Sequence, residues 1–290
     1  MTGAPLVLAA ALAAAAAPAA PYGAKGGWAL ITGRTTPELL ALLDTGPLAT
    51  EGGATVDPLR LVVRAMADAT TGCGGALSLG EGRSSFILTL LAERAHHRAN
   101  PHPLARPPAP CPEETVHAVD RAYPRHDGKG TIDDPRRPST ASEPEDGAYD
   151  ERVVGWVRRH PRSYHAQSFE TLDLRSEGGG RMRFPLILST FALSHVLFWG
   201  RDDGGPTLER VLEHLEPGGA LVMAPVRCRP EGGLPDSVGR YYERLRAMRE
   251  RKVVGDFTAL APDSCRPGEV FARPAVLVVT GARPTPGPAR

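Results

Sequence analysis

The residues of this chain whose types and spacing best fit a chemical role are a turn with two glycines and a carboxylate further along the sequence. Gly80, Glu81 and Gly82 stand between an apolar strand pattern and an apolar helical pattern. Glycines in such a turn let the backbone approach a ligand closely, and the following helix directs free N–H groups at that ligand. Asp120 ends the next strand pattern, 38 residues after Gly82. A carboxylate there can accept both hydroxyls of a ribose, so the pattern predicts a nucleoside-containing ligand.

Strand and helix patterns alternate along the chain from residue 74 onward. Continuous apolar runs predict buried strands at 75–79, 115–120, 164–172 (strand and exit), 186–190, 220–223 and 274–280. Amphipathic patterns predict helices at 86–93, 151–160, 207–215 and 236–252. This alternation is typical of a doubly wound α/β fold, with a mostly parallel sheet covered on both faces. Because parallel strands end at one edge, the glycine turn and Asp120 are predicted to meet there.

Three segments fall outside this alternation. Residues 1–24 are an Ala-rich leader without a basic start, so we expect a poorly ordered segment and a cytoplasmic protein, with an export or targeting leader as the alternative. Residues 25–73 carry two helical patterns with start signals at Thr36-Pro37 and Asp57-Pro58, which predict an N-terminal helical cap. Residues 74–290 form the predicted cofactor-binding domain, interrupted by a polar insertion near 121–150.

The charge balance and the cysteines exclude several classes of protein. The chain has 34 Lys+Arg against 33 Asp+Glu, a formal net charge of +1, so no strong electrostatic field favours nucleic acid or a membrane surface. We therefore expect a small-molecule substrate as partner, without nucleic acid or membrane, and the oligomeric state is left open. The four cysteines are Cys73, Cys111, Cys228 and Cys265. They include no CxxC pair and no cluster with metal-ligand spacing, which argues against a disulfide framework and against a structural zinc.

The chain resembles the class I (Rossmann-like) S-adenosylmethionine-dependent methyltransferases. Four segments carry the resemblance: LSLGEGRSSF at 77–86, VHAVDRAYP at 116–124, FPLILSTFALSHV at 184–196 and LERVLEHLEPGGALVM at 208–223. The last is the most specific, because a helix followed by Pro-Gly-Gly and a buried strand is the family's habitual lead-in to its fifth strand. The resemblance implies a class I methyltransferase-like sheet and S-adenosylmethionine as the cofactor.

The resemblance also implies roles for individual residues. The turn at 80–82 would contact the methionine part of the cofactor. The acid that the family has before these glycines is Ser78 or Ala76 in this chain, so Glu81 is the candidate for a substitute charge near the cofactor's amino group, with a solvated side chain as the alternative. Asp120 would hold the ribose, and the residues after the third strand, Gln167 and Ser168, would bracket the adenine. Thr190 ends the fourth predicted strand, next to the segment that would face cofactor and substrate. No metal ligand is implied.

His195 is the candidate catalytic residue. It follows the fourth strand, and an imidazole there can act as general base for an oxygen or nitrogen acceptor because its pKa lies near working pH. The alternative is that Ser194 and His195 cap or pack the following turn.

Three other interpretations stay open at this stage. A nicotinamide-dependent oxidoreductase would use the same fold, but its fingerprint would place a glycine where the chain has Ser85. An enzyme that transfers the aminocarboxypropyl group of S-adenosylmethionine, or cyclises that molecule, would suit an altered glycine motif. A non-catalytic scaffold or regulatory subunit that has lost cofactor binding would account for the absence of three carboxylates that the family pattern expects, because the chain has Ser78, Ser168 and Pro185 at those positions.

Overall fold

The structure is a computed structural model, and only part of the chain is described here. The described residues are 41–71, 75–80, 115–120, 123–124, 131–132, 156–157, 159–190, 192–193, 205–226, 237–259, 264, 271–272 and 274–283. Three predicted site residues, Glu81, Gly82 and His195, lie outside them, as do the leader at 1–24 and the helix predicted at 86–93.

The described part contains eleven strands and three α-helices. The strands are β1 (Leu48–Ala49), β2 (Thr55–Val56), β3 (Ala76–Leu79), β4 (Val116–Asp120), β5 (Tyr123–Pro124), β6 (Thr131–Ile132), β7 (Tyr164–Ala166), β8 (Phe184–Thr190), β9 (Leu215–Ala224), β10 (Val254–Phe257) and β11 (Leu277–Gly281). The helices are α1 (Pro58–Thr71), α2 (Gly205–Glu213) and α3 (Ser237–Glu250), and a 3-10 turn covers Phe169–Thr171.

Seven of the strands form one central sheet, in the order β10-β11-β9-β8-β3-β4-β7. The five strands from β7 to β9 are parallel to their neighbours, whereas β11 is antiparallel to β9 and β10 is antiparallel to β11. Strand β10 therefore runs in the same direction as the parallel set. The predicted doubly wound, mostly parallel sheet is confirmed.

Helices cover both faces of this sheet. On one face, α2 and α3 contribute buried apolar side chains: Leu208, Val211, Leu212, Tyr242, Leu245 and Met248. On the other face, α1 and the helical residues 156–157 contribute Val62, Trp156 and Val157. Buried apolar side chains thus form one cluster on each face of the sheet. Successive residues of a pleated strand point alternately to the two faces and so belong alternately to the two clusters. Ile187 of β8 points to the first cluster, for example, and Leu186 to the second.

Strand β9 begins earlier than the sequence predicted, before the Pro-Gly-Gly segment at 217–219. That segment was expected to end the preceding helix, but the helix already ends at Glu213. The two glycines allow a bulge inside the strand, because Gly218 has a φ of +75° and a Cβ on Gly219 would lie 2.9 Å from the carbonyl oxygen of Pro185.

The N-terminal region contains a two-stranded hairpin as well as the predicted helix α1. The hairpin, β1 and β2, continues the sheet beyond β10: Ala259 N–H donates to the Ala49 carbonyl at 2.8 Å, and Glu51 N–H donates to the Phe257 carbonyl at 3.0 Å. Side chains strengthen the junction, since Arg246 of α3 forms a bidentate ion pair with Glu51. Because β10 runs with the parallel strands, this junction lies at the carboxyl edge of the sheet.

The remaining predictions about domain organisation stay predictions. Within the insertion at 121–150, the described residues form the pair β5 and β6. Helix α1 packs on β3 and β8, so the part of the predicted cap from 41 to 71 contacts the sheet directly. No helix in the described residues is both long and apolar enough to span a bilayer.

Candidate cofactor site

The central strands bring three predicted site residues to one edge of the sheet. Leu79, at the end of β3, pairs with Val119 of β4 on one side and with Ser189 of β8 on the other. The next residues along these strands are Gly80, Asp120 and Thr190. Parallel strands in this register place all three at the same level of the carboxyl edge, with Gly80 in the middle.

Gly80 is required by the packing of its own turn. Its φ is +72°, a conformation that side chains with a Cβ disfavour. A Cβ built at this position would lie 1.9 Å from the Cβ of Ala192, in the turn after β8. The Gly80 N–H donates to the Val119 carbonyl at 2.8 Å. The glycine therefore lets the turns after β3 and β8 meet, which accounts for its presence without a ligand.

Asp120 occupies the position from which a carboxylate can reach a ribose. It is the last residue of β4 and the only one of that strand that is partly exposed. The pairing of β4 with β7 extends one residue beyond β7, because the Gln167 N–H donates to the Asp120 carbonyl at 3.1 Å. This hydrogen bond places the loop after β7 beside Asp120.

Gln167 and Ser168 lie in that loop, and their side chains stabilise it. The Gln167 amide oxygen accepts from the backbone N–H of Asp173 at 3.2 Å. The Ser168 hydroxyl caps the 3-10 turn by accepting from the Glu170 N–H at 3.2 Å, and it also bonds to the Glu170 carboxylate. Sequence reasoning assigned no role to Glu170, an exposed carboxylate three residues beyond Gln167. Contact of Gln167 and Ser168 with adenine stays a prediction.

Ser189 is the site residue that sequence reasoning missed. It is fully buried beside Thr190, and its hydroxyl forms hydrogen bonds with the Leu79 carbonyl at the end of β3 and the Leu193 N–H in the turn after β8. The signal in the sequence was a hydroxyl inside an otherwise apolar strand, since such a group is costly to bury unless it is bonded.

A pair of histidines lies under this edge, on one face of the sheet. His117 Nδ1 and His165 Nε2 are 3.0 Å apart, and their rings are stacked with centroids 5.3 Å apart. Burial, followed by the charges of His117 and His214, lowers the pKa of His165 from 6.5 to about 4. Among the described residues, no set of three potential metal ligands includes this pair.

A third histidine, His214, lies near the amino-terminal ends of the parallel strands on the same face and bonds to two backbone groups. Its Nδ1 bonds to the Met182 carbonyl at 2.8 Å, and its Nε2 accepts from the Leu174 N–H at 3.4 Å. These partners require the neutral ring with its proton on Nδ1. Burial, the largest cause, lowers the pKa of His214. The fold therefore favours the neutral forms of His165 and His214.

We expect acid to destabilise the protein through His165. Its pKa is depressed in the folded state, so its stabilising contribution is present above pH 6.5 and is lost as pH falls toward about 4. Between pH 7.5 and pH 5 this loss amounts to about 2 kcal/mol. Urea unfolding at both values should show a smaller pH dependence in His165→Gln than in the wild type. Equal pH dependence of the two proteins would contradict the assignment.

The described residues at this edge support a ribose-binding position more strongly than they support the other predicted contacts with the cofactor. Asp120 has the position and charge to accept ribose hydroxyls, which agrees with the nucleoside prediction. Gly80 is explained by packing, and the side chains of Gln167 and Ser168 already hold their own loop. The strongest part of the fit is therefore the carboxylate of Asp120 next to the Gly80 turn.

Comparisons with known proteins find structural likenesses only. No family model matches the chain, and no curated protein matches it. Similar solved structures include the N-methyltransferase NodS from Bradyrhizobium japonicum WM9 (12% identity, 79% of this chain and 93% of that chain covered, TM-score 0.34). Another is the 1,6-didemethyltoxoflavin-N1-methyltransferase from Burkholderia thailandensis (16%, 77% and 79%, TM-score 0.32). A third is a possible exported protein from Bordetella parapertussis (14%, 97% and 87%, TM-score 0.34).

At these identities and TM-scores the likenesses decide neither the fold nor the reaction. The fold follows from the strand order of this chain itself. Six strands run in one direction, and β11, next to the edge strand β10, runs in the opposite direction; this is the class I methyltransferase-like, mostly parallel sheet that the sequence motifs predicted.

Proposed function

We propose that the protein is an S-adenosylmethionine-dependent methyltransferase that acts on a small-molecule acceptor. The observation that carries the proposal is the register of β8, β3 and β4, which sets Asp120 and Thr190 on either side of the Gly80 turn. A carboxylate beside a tight strand-to-helix turn is the arrangement that binds a ribose at the carboxyl edge of a doubly wound sheet.

Two observations support a small acceptor. The β1–β2 hairpin is attached at the carboxyl edge beside β10, where it brings the N-terminal region to the side of the sheet on which the ligand would lie. The net charge of +1 gives no strong overall field that would attract nucleic acid. Enclosure of a small molecule between the N-terminal region and the sheet edge is consistent with both.

In this mechanism the chain mainly binds, orients and excludes water. Asp120 accepts the two ribose hydroxyls, while the turns after β3 and β8 define the space for the methionine part. The bound cofactor supplies a methyl group on a positively charged sulfur, a reactive leaving group. Alignment of the acceptor then provides most of the rate enhancement. His195 removes a proton when the acceptor is an alcohol or a protonated amine.

The test of the proposal is the identity of the product formed from S-adenosylmethionine. The protein is incubated with methyl-labelled S-adenosylmethionine and a panel of small phenols, amines and carboxylic acids, and the nucleoside product is identified by chromatography. S-adenosylhomocysteine with label on an acceptor is the expected result. Methylthioadenosine would point instead to aminocarboxypropyl transfer or cyclisation, and a folded protein that neither binds nor consumes S-adenosylmethionine would favour a scaffold.

Replacement of His195 tests the assigned base. We expect His195→Ala to lower turnover while the affinity for S-adenosylmethionine changes little, because the imidazole acts on the acceptor. The wild-type rate should fall as the pH drops and the base becomes protonated, and the variant should lack this step. Full turnover in His195→Ala would leave this histidine with a capping or packing role.

A further inference from the structure

One buried hydroxyl joins the turn after β8 to the end of β3. The Ser189 side chain has no exposed surface. Its Oγ donates to the Leu79 carbonyl at 3.3 Å and accepts from the Leu193 N–H at 2.9 Å. The first bond crosses between two strands, and the second closes the turn that follows Thr190.

A steric contact joins the same two turns independently of this hydroxyl. Gly80 approaches Ala192 so closely that a Cβ on the glycine would lie 1.9 Å from the alanine Cβ. Phe169 closes the other side, with its ring 3.5 Å from the same point. The turn after β8 is thus packed against Gly80, and Ser189 also links it by hydrogen bonds to the end of β3.

We propose that Ser189 is a positioning residue for the nucleoside ligand. Its hydroxyl sets the distance between the Gly80 turn and Thr190, and the ligand of the proposed function contacts both. Ser189 itself is wholly buried and bonded to two backbone groups, so it acts through these turns without touching the ligand. This inference rests on the proposed function, because only a ligand that spans both turns senses their spacing.

The chemistry of the position supports a role for the hydroxyl beyond filling space. The neighbouring strand residues Ile187 and Leu188 are apolar and buried, and an alanine at position 189 would continue this pattern. A buried hydroxyl is favourable only when its bonds offset the loss of hydration. The two bonds of Ser189 are therefore what distinguishes it from alanine.

The test compares two variants that each lose one buried hydroxyl. Ser189→Ala removes the bonds between the turns. Thr258→Val is the matched control: Thr258 is also fully buried, and its Oγ1 accepts from the Val278 N–H at 3.2 Å, next to the β10 edge. We expect the affinity for S-adenosylhomocysteine to fall about tenfold in Ser189→Ala, equivalent to about 1.4 kcal/mol, and to stay within about twofold of wild type in the control.

A second measurement needs no ligand. Hydrogen exchange of the Leu193 and Gly80 amides should be faster in Ser189→Ala than in wild type, and unchanged in Thr258→Val. Equal affinities of Ser189→Ala and wild type, or equal losses in both variants, would overturn the positioning role while the proposed function stands. A wild-type protein that binds no S-adenosylhomocysteine would overturn the proposed function and the positioning role with it.

Discussion

Gly80→Ala is expected to lower the free energy of unfolding by about 2–5 kcal/mol. Two costs add: the left-handed backbone at φ +72° disfavours alanine by about 1–2 kcal/mol, and overpacking against Ala192 costs about 1–3 kcal/mol. The measurement is urea unfolding followed by circular dichroism. Any ligand affinity should fall as well, because the turn must shift to accept the methyl group.

Two further variants separate these costs. Gly179→Ala introduces the same methyl group at φ +77° with no atom within 4 Å, so it should cost only the backbone part, about 1–2 kcal/mol. Adding Ala192→Gly to Gly80→Ala removes the clashing carbon and should restore most of the steric part. A double variant no more stable than Gly80→Ala alone would show that the contact between the two turns is not the cause.

Asp120→Ala is expected to weaken binding of S-adenosylhomocysteine at least tenfold. A hydrogen bond from a ribose hydroxyl to a carboxylate contributes roughly 1.5–3 kcal/mol, and the proposed geometry provides two of them. Asp120→Asn should give an intermediate loss, since the amide keeps one acceptor oxygen but carries no charge. Both affinities are measured by calorimetry at a temperature where thermal unfolding shows each variant to be folded.

The matched control for Asp120 is Glu209→Ala. It removes a carboxylate from the exposed side of α2, where Glu209 pairs with Arg251, and it changes the net charge equally. Its affinity should equal that of the wild type. If Asp120→Ala binds as tightly as Glu209→Ala, the ribose assignment is wrong.

The sequence was most informative where a pattern is local. Buried parallel strands are continuous apolar runs, so the bounds of β3, β4 and β8 could be predicted to within two residues, and so could the core of β9. Asp120 was found for the same reason, because it is the polar residue that ends such a run. Residues that end neighbouring parallel strands meet at one edge, whatever the length of the connection between them.

Features that depend on contacts distant in sequence were missed. Strand β10 has Gly255 and Asp256 within four residues, both depleted in strands, and only its pairing with β11 defines it. The β1–β2 hairpin has strands of two residues, too short for a pattern. Ser189 and Leu79 are 110 positions apart in the chain, so nothing local indicates their hydrogen bond.

At the glycine turn, the sequence correctly predicted that a side chain is excluded but did not reveal the whole cause. Glycine at 80 was expected because a ligand approaches the backbone there, yet the methyl group of Ala192 already fills the space where a Cβ would lie. A sequence pattern records that a side chain is excluded. It does not say whether a ligand or another part of the chain excludes it.

Calorimetric titration of the full-length protein with S-adenosylhomocysteine tests the central claim most directly. The account predicts saturable binding of one molecule per chain that competes with S-adenosylmethionine and is at least tenfold weaker in Asp120→Ala. Absence of saturable binding by the folded wild-type protein, or binding that does not respond to Asp120→Ala, would contradict it.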